Sequence, residues 1–152
     1  MEISELIEKL DFDEFDYFYH ETSRGNSIDI MEEGLLVDGT NILDTDNILF
    51  TTTLPLTKDL VSDAETFKTF LDEEKSIGGI RDVSEMVILG APKDYEQRLV
   101  SKYDDYKDGS YYEGIVESHL VLGYIDLVSK RFTVNENYEY SDSLLYDEGH
   151  HK

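Results

Sequence analysis

The residue types able to do chemistry are unevenly stocked in this 152-residue chain. Cys is absent, which excludes thiolate nucleophiles, thiolate metal sites and disulfide frameworks. His occurs four times, and His150 and His151 adjoin at the end of the sequence, where frayed chain rarely builds an ordered metal site. The run Asp104-Asp105-Tyr106-Lys107-Asp108-Gly109 fails as a calcium loop. A loop begun at Asp104 puts Tyr106 and Ile115 where a ligand and the bidentate Glu must stand, so no metal is expected. Gly78-Gly79 lacks the Lys-Ser/Thr of a phosphate loop, no Gly-x-Gly-x-x-Gly occurs, and no Ser sits in Gly-x-Ser-x-Gly. What remains gathered is Phe18-Tyr19-His20-Glu21-Thr22-Ser23 and Ile48-Leu49-Phe50-Thr51-Thr52-Thr53. Each is an apolar or aromatic run ending in an imidazole or in hydroxyls, groups that donate and accept hydrogen bonds.

These groups need elements to position them. Ile3, Leu6, Ile7 and Leu10 recur at helical spacing, which predicts a short amphipathic helix over 2–10. Aromatic residues at 17–20 predict a strand, and Arg24-Gly25-Asn26 a turn. Ser27 then caps a helix whose apolar face is Ile28, Met31 and Leu35, stopped at Gly34. Residues 48–52 read as a second buried strand, a neighbour of 17–20, ended by Leu54-Pro55. Asp63 caps a helix to about Glu74 with Ala64, Phe67, Phe70 and Leu71 on one face. Met86 to Leu89 is a strand closed by Gly90-Ala91-Pro92, residues 97–103 a polar helix, and 120–127 and 131–134 strands joined across Val128-Ser129-Lys130. The expected fold is α+β: a mixed, mostly antiparallel sheet flanked by short helices, one domain over 1–140 with an acidic tail over 141–152.

The front of the chain resembles the opening of the ADP-ribosyltransferase fold, whose first two strands carry "Tyr-His-x-Thr … Ile-x-x-Gly-Leu … Phe-Thr". Here these are Tyr19 to Thr22, the segment Ile28 to Leu35 ending in Gly34-Leu35, and Phe50-Thr51. The resemblance covers about the first half of the chain and implies NAD as cofactor. By it, His20 holds the adenosine ribose, with Glu21 and Thr22 completing the cofactor-binding segment; the family carries Gly where Glu21 stands. Thr51 (or Thr52) flanks the nicotinamide ribose. A late Glu stabilises the positive charge that develops as nicotinamide leaves. Glu113, ahead of Gly114-Ile115-Val116, takes that role, with Glu117 as the alternative. The second half, Leu122-Gly123-Tyr124-Ile125-Asp126 and Asn135-Glu136-Asn137-Tyr138, is similar to bacterial and mobile-element proteins of unassigned activity.

Charge narrows the partners. The chain carries 35 Asp and Glu against 13 Lys and Arg, a net charge of −22. Phosphate binding needs clustered cations, so direct contact with nucleic acid or an anionic membrane is excluded. The expected partner is a basic protein surface, above all that of a nucleic-acid-handling protein. No apolar run approaches the roughly 20 residues that span a bilayer, and Met1 to Glu5 is acidic where a secretory signal is basic, so a cytoplasmic location is expected. Three functions fit: an ADP-ribosyltransferase-like phage or mobile-element effector, a non-catalytic inhibitor whose carboxylates imitate nucleic-acid phosphates, or an acidic domain whose charge serves solubility alone. The inhibitor would draw on Asp11 to Asp16, Asp72-Glu73-Glu74 and Asp104-Asp105, concentrated on one face.

Overall fold

The computed structural model describes residues 1–37, 54–75, 83–92, 114–116 and 118–140. Helix α1 (Ile3–Lys9) buries Ile3 and Leu6 on its inner side. At its start Glu5 Oε1 accepts the Glu2 N–H at 3.0 Å, satisfying one of the amides that a helix N-terminus leaves over. Strand β1 (Phe15–Thr22) follows, then α2 (Asn26–Glu33) and the short β2 (Leu35–Val37). The two-residue β3 (Leu54–Pro55) leads to α3 (Ala64–Glu74) and β4 (Glu85–Pro92). After β5 (Gly114–Val116) and one 3-10 turn come β6 (Val121–Asp126) and β7 (Arg131–Val134).

The α+β expectation holds, with one refinement: every strand pairing among the described residues is antiparallel, so no mixed sheet is seen. Four longer strands and β3 form one sheet in the order β3-β1-β4-β6-β7, and β2 pairs with β5 in a second. Strand β4 is central and is buried on both faces from Glu85 to Ala91. Both edges of the main sheet are blunted, as exposed edges invite strand addition. At one edge, among the described residues, stands β3 with Pro55, which has no N–H to offer an added strand. At the other, Phe132 and Met1 exchange two backbone hydrogen bonds of 2.9 Å, laying the start of the chain along β7.

Alternation along the strands sorts the core into two layers. On one face Tyr17, Tyr19, Met86, Ile88, Ile125 and Phe132 meet Ile3 and Leu6 of α1 and Phe67 and Leu71 of α3. On the other, α2 packs against β4 and β6, where Ile30, Val87, Leu89 and Val121 are buried. A bulge adjusts β6: Ile88 opposes Gly123 but Leu89 opposes Val121, so Leu122 is an inserted residue and joins the same layer as Ile125. The carbonyls disturbed by the bulge are taken up by Asn135, which is buried. Its N–H donates to Leu122 O at 2.7 Å and its Nδ2 to Val121 O at 2.9 Å. The Asn135-Glu136-Asn137-Tyr138 motif is therefore a clamp on the Leu122-Gly123 bulge.

Helix α3 follows the sequence reading closely. Asp63 caps it, accepting the Thr66 N–H at 2.8 Å and the Thr66 hydroxyl at 3.1 Å. These bonds hold the Asp63 carboxyl below its ordinary value, the backbone bond contributing most. A depressed carboxylate contributes stability that is full above the unfolded value of about 3.9 and is lost as pH falls through the folded value. Helix content followed by far-UV circular dichroism should therefore fall below about pH 3.9, with Asp63→Asn shrinking that acid-sensitive part. An acid limb identical in Asp63→Asn would remove the cap from the account.

Helix α2 departs from the reading. It begins at Asn26 rather than being capped by Ser27, Ile28 is 48% exposed, and the buried positions are Ser27 and Ile30. The cap is supplied from outside the local sequence. Gly25, at φ 92°, turns its N–H toward Glu85 Oε2 at 3.1 Å, and the Ser27 N–H reaches Glu85 Oε1 at 3.2 Å. The expected strand at 48–52, the helix at 97–103 and the tail at 141–152 lie outside the described residues. Among the described residues no helix is long and apolar enough to cross a membrane.

Candidate functional site

The residues assigned to a cofactor sit at the C-terminal end of β1. His20, Glu21 and Thr22 are buried, each 5–6% exposed. They do not share one surface. His20 and Thr22 point to the α2 face of the sheet, whereas Glu21 points with Tyr19 to the α3 face. Tyr19 registers that neighbour: its phenol is pushed well above its ordinary value by burial first, then by the charges of Glu74 and Glu21. Thr22 braces the start of α2, its Oγ1 accepting from Asn26 Nδ2 at 3.0 Å while its carbonyl accepts the Ser84 N–H at 3.1 Å. His20 and Glu21 are likewise engaged by neighbouring groups. Thr51, Glu113 and Glu117 lie outside the described residues, so their distance from His20 is not part of the described geometry. The edge partner of β1 in the described region is Leu54-Pro55, opposite Tyr19 and Phe18.

Around this segment lies a compact polar cluster. Glu85, 4% exposed, faces the α2 N-terminus and stands between Thr22 and Asp126 in the sheet register. Arg24 approaches Asp126 Oδ2 at 3.8 Å across the surface. Ser27 and Ser84 are buried, and their hydroxyl oxygens have no hydrogen-bond partner among the described residues. A carboxylate at a helix N-terminus is favoured because the free amides and the helix dipole are both positive there. That site is filled by the protein's own Glu85, so the cluster holds the fold together at this corner.

The opposite face carries a different arrangement. Along α1 and the turn after it, Glu2, Glu5, Glu8, Asp11 and Glu14 recur every third residue, and all five are exposed. In the sequence Asp11 to Asp16 stands out as an acidic run, and the period-three spacing is the signal that extends it back to Glu2. Three of the carboxylates are braced: Glu2 pairs with Arg131 at 2.5 Å, Glu5 Oε1 accepts the Glu2 N–H at 3.0 Å, and Asp11 Oδ1 accepts the Asp13 N–H at 3.1 Å. Asp72 and Glu73 are also exposed, near the end of α3, which packs beside α1. Lys130 meets Asp72 at 2.6 Å and holds its carboxyl below the ordinary value, chiefly through that hydrogen bond. Acidic side chains occur on the other face too, at Asp29, Glu32 and Glu33 of α2.

Where α1 meets the chain leading into α3 there is an open groove of about 410 Å³. Ile7, Leu10, Phe12 and Val61 form its apolar lining, and Lys58, Asp59 and Ser62 stand around it. It lies on the α1 side of the sheet, away from His20. No group of three or more metal-ligating side chains occurs among the described residues. No family model matches this chain, and neither a curated protein nor a solved structure matches it.

Proposed function

We propose that this protein is a non-catalytic acidic docking module, which occupies a basic nucleic-acid-binding surface of another protein in place of the nucleic acid. The observation that supports it is the exposed series Glu2, Glu5, Glu8, Asp11 and Glu14. Within α1 the three residues from Glu5 to Glu8 rise about 4.5 Å, against roughly 3.4 Å per phosphate along one strand of B-DNA, and Asp11 and Glu14 continue the series in the turn beyond the helix. A cationic groove built to follow phosphates thus meets carboxylates at a workable spacing. The net charge of −22 adds long-range steering toward such a surface.

The test uses the intact protein immobilised against a bacterial lysate. Basic proteins should be retained at low salt and released at high salt, as the Debye length falls from about 10 Å at 0.1 M to about 3 Å at 1 M. Duplex DNA or RNA in excess should displace them. Neutralising Glu5, Glu8 and Asp11 together to Gln, Gln and Asn should weaken binding roughly tenfold to a hundredfold. Retention that ignores both nucleic acid and the triple substitution would overturn the reading. So would transfer of label from NAD to a lysate protein that Glu113→Gln abolishes, which is the outcome the ADP-ribosyltransferase resemblance predicts.

A further inference from the structure

The groove beside α1 adds something that acidity alone does not. Resting on the docking function proposed above, we infer that the groove bounded by α1 and residues 58–62 is a receptor for a long basic side chain of the partner, an arginine foremost. Its stem would lie on Ile7, Leu10 and Phe12 and its guanidinium would reach the Asp59 carboxylate in the lining.

The chemistry of the groove selects this occupant. Its apolar residues are only part-buried at Ile7, Leu10 and Phe12, so they leave apolar surface in contact with water. A purely apolar ligand would cover that surface but would sit among charges it cannot pair. The exposed carboxylates of Asp59, which lines the groove, and of Glu8 and Asp11, each next in sequence to a lining residue, favour a cation. Lys58 also stands in the lining and offsets Asp59, so the preference for a cation comes from the exposed acidic segment beside the groove, at whose edge an anionic ligand would have to bind. A side chain with an aliphatic stem and a charged end satisfies both parts at once. Arginine does so best, because its planar fork pairs carboxylates with two bonds and is weakly hydrated. Binding energy in interfaces concentrates where such a residue fills a pocket, and Arg is enriched among those anchors.

The probe is an arginine nonamer, compared with a nonamer of diaminobutyrate that carries the same formal charge on shorter stems. Titrated into the intact protein, the arginine peptide should shift the methyl resonances of Ile7, Leu10 and Val61. Ser62→Trp narrows the groove from its exposed side while leaving net charge and core unchanged. It should weaken the arginine peptide about tenfold with an unchanged salt slope, and leave the diaminobutyrate peptide unaffected. Leu10→Gln provides a second variant, expected to weaken the arginine peptide in the same way. If the arginine peptide binds in a salt-dependent manner but the methyls stay still and neither variant matters, the groove is not the receptor and the acidic docking function survives. If it does not bind even at low salt, the arginine receptor is overturned, and retention from lysate decides the docking function separately.

Discussion

Gly123→Ala is expected to cost about 4 kcal/mol or more, a large fraction of the stability of a domain this size. A Cβ at this position would lie 2.0 Å from the Thr133 carbonyl oxygen and 2.8 Å from the Phe132 ring. The nearer atom belongs to the backbone of β7, so no rotamer change relieves the clash. Gly123 also sits at φ +155°, which L side chains rarely adopt. Relief requires β7 to move off β6, breaking the Gly123–Val134 and Tyr124–Thr133 register and with it the strap that Met1 makes on Phe132. Gly25→Ala is the matched control. It too has positive φ, at 92°, but open space surrounds it, so only the backbone cost of about 1 kcal/mol is expected. Urea unfolding of the two variants measures the difference. A Gly123→Ala protein within 1 kcal/mol of the parent would show that β6 and β7 are not so closely apposed.

The contrast between α3 and α2 shows why some of this fold is readable from sequence and some is not. Helix α3 carries its own instructions: Asp63 supplies the cap, and Phe67 and Leu71 sit four apart on the buried side. Strand β4 is equally plain, since a continuous apolar run is what a strand buried on both faces needs. In α2 the buried stripe is Ser27 and Ile30, and a buried Ser is invisible to a search for apolar periodicity. Its cap comes from Glu85, 58 positions beyond Ser27, and no local pattern announces such a contact. The same limit hid the part played by Asn135, whose value lies in a bulge formed on another strand.

The candidate sites divide in the same way. The alternation of β1 is a local property, and it places His20 and Glu21 on opposite faces without any tertiary information. Whether an imidazole or a carboxylate there meets solvent depends on what covers each face, which only the fold supplies. In the structure both are buried, while the carboxylates of α1 remain exposed because that helix turns just one side to the core. The acidic series was present in the sequence all along as a period of three. The groove was not, because it joins Ile7 and Leu10 to Val61 across the tertiary structure.

Glu85→Ala should destabilise the protein by about 3 kcal/mol, and the damage should begin at α2. Glu85 is buried in the central strand, and its two oxygens accept the Gly25 and Ser27 amides. Deleting the side chain leaves those donors without their acceptor next to two buried serine hydroxyls that already have no partner among the described residues. It also removes a negative charge from the positive end of the helix. Asn26 is itself fixed by its amide nitrogen, which donates to Thr22 Oγ1 and Ser23 Oγ at 3.0 Å each. Glu85→Gln retains one acceptor but turns an NH₂ toward a backbone N–H, so about half the loss is expected. Hydrogen exchange separates this from general weakening: the amides of Gly25, Ser27 and Ile28 should exchange faster at denaturant concentrations that leave β4 and β6 protected. Uniform acceleration across the sheet, or no acceleration at α2, would mean that Glu85 does not anchor this helix. Anchoring is what the register implies, for Glu85 lies directly between Thr22 and Asp126, where β1, β4 and β6 meet the start of α2. Among the described residues the one buried carboxylate that faces α2 is thereby committed to the architecture of that corner, while the carboxylates of α1 stay exposed.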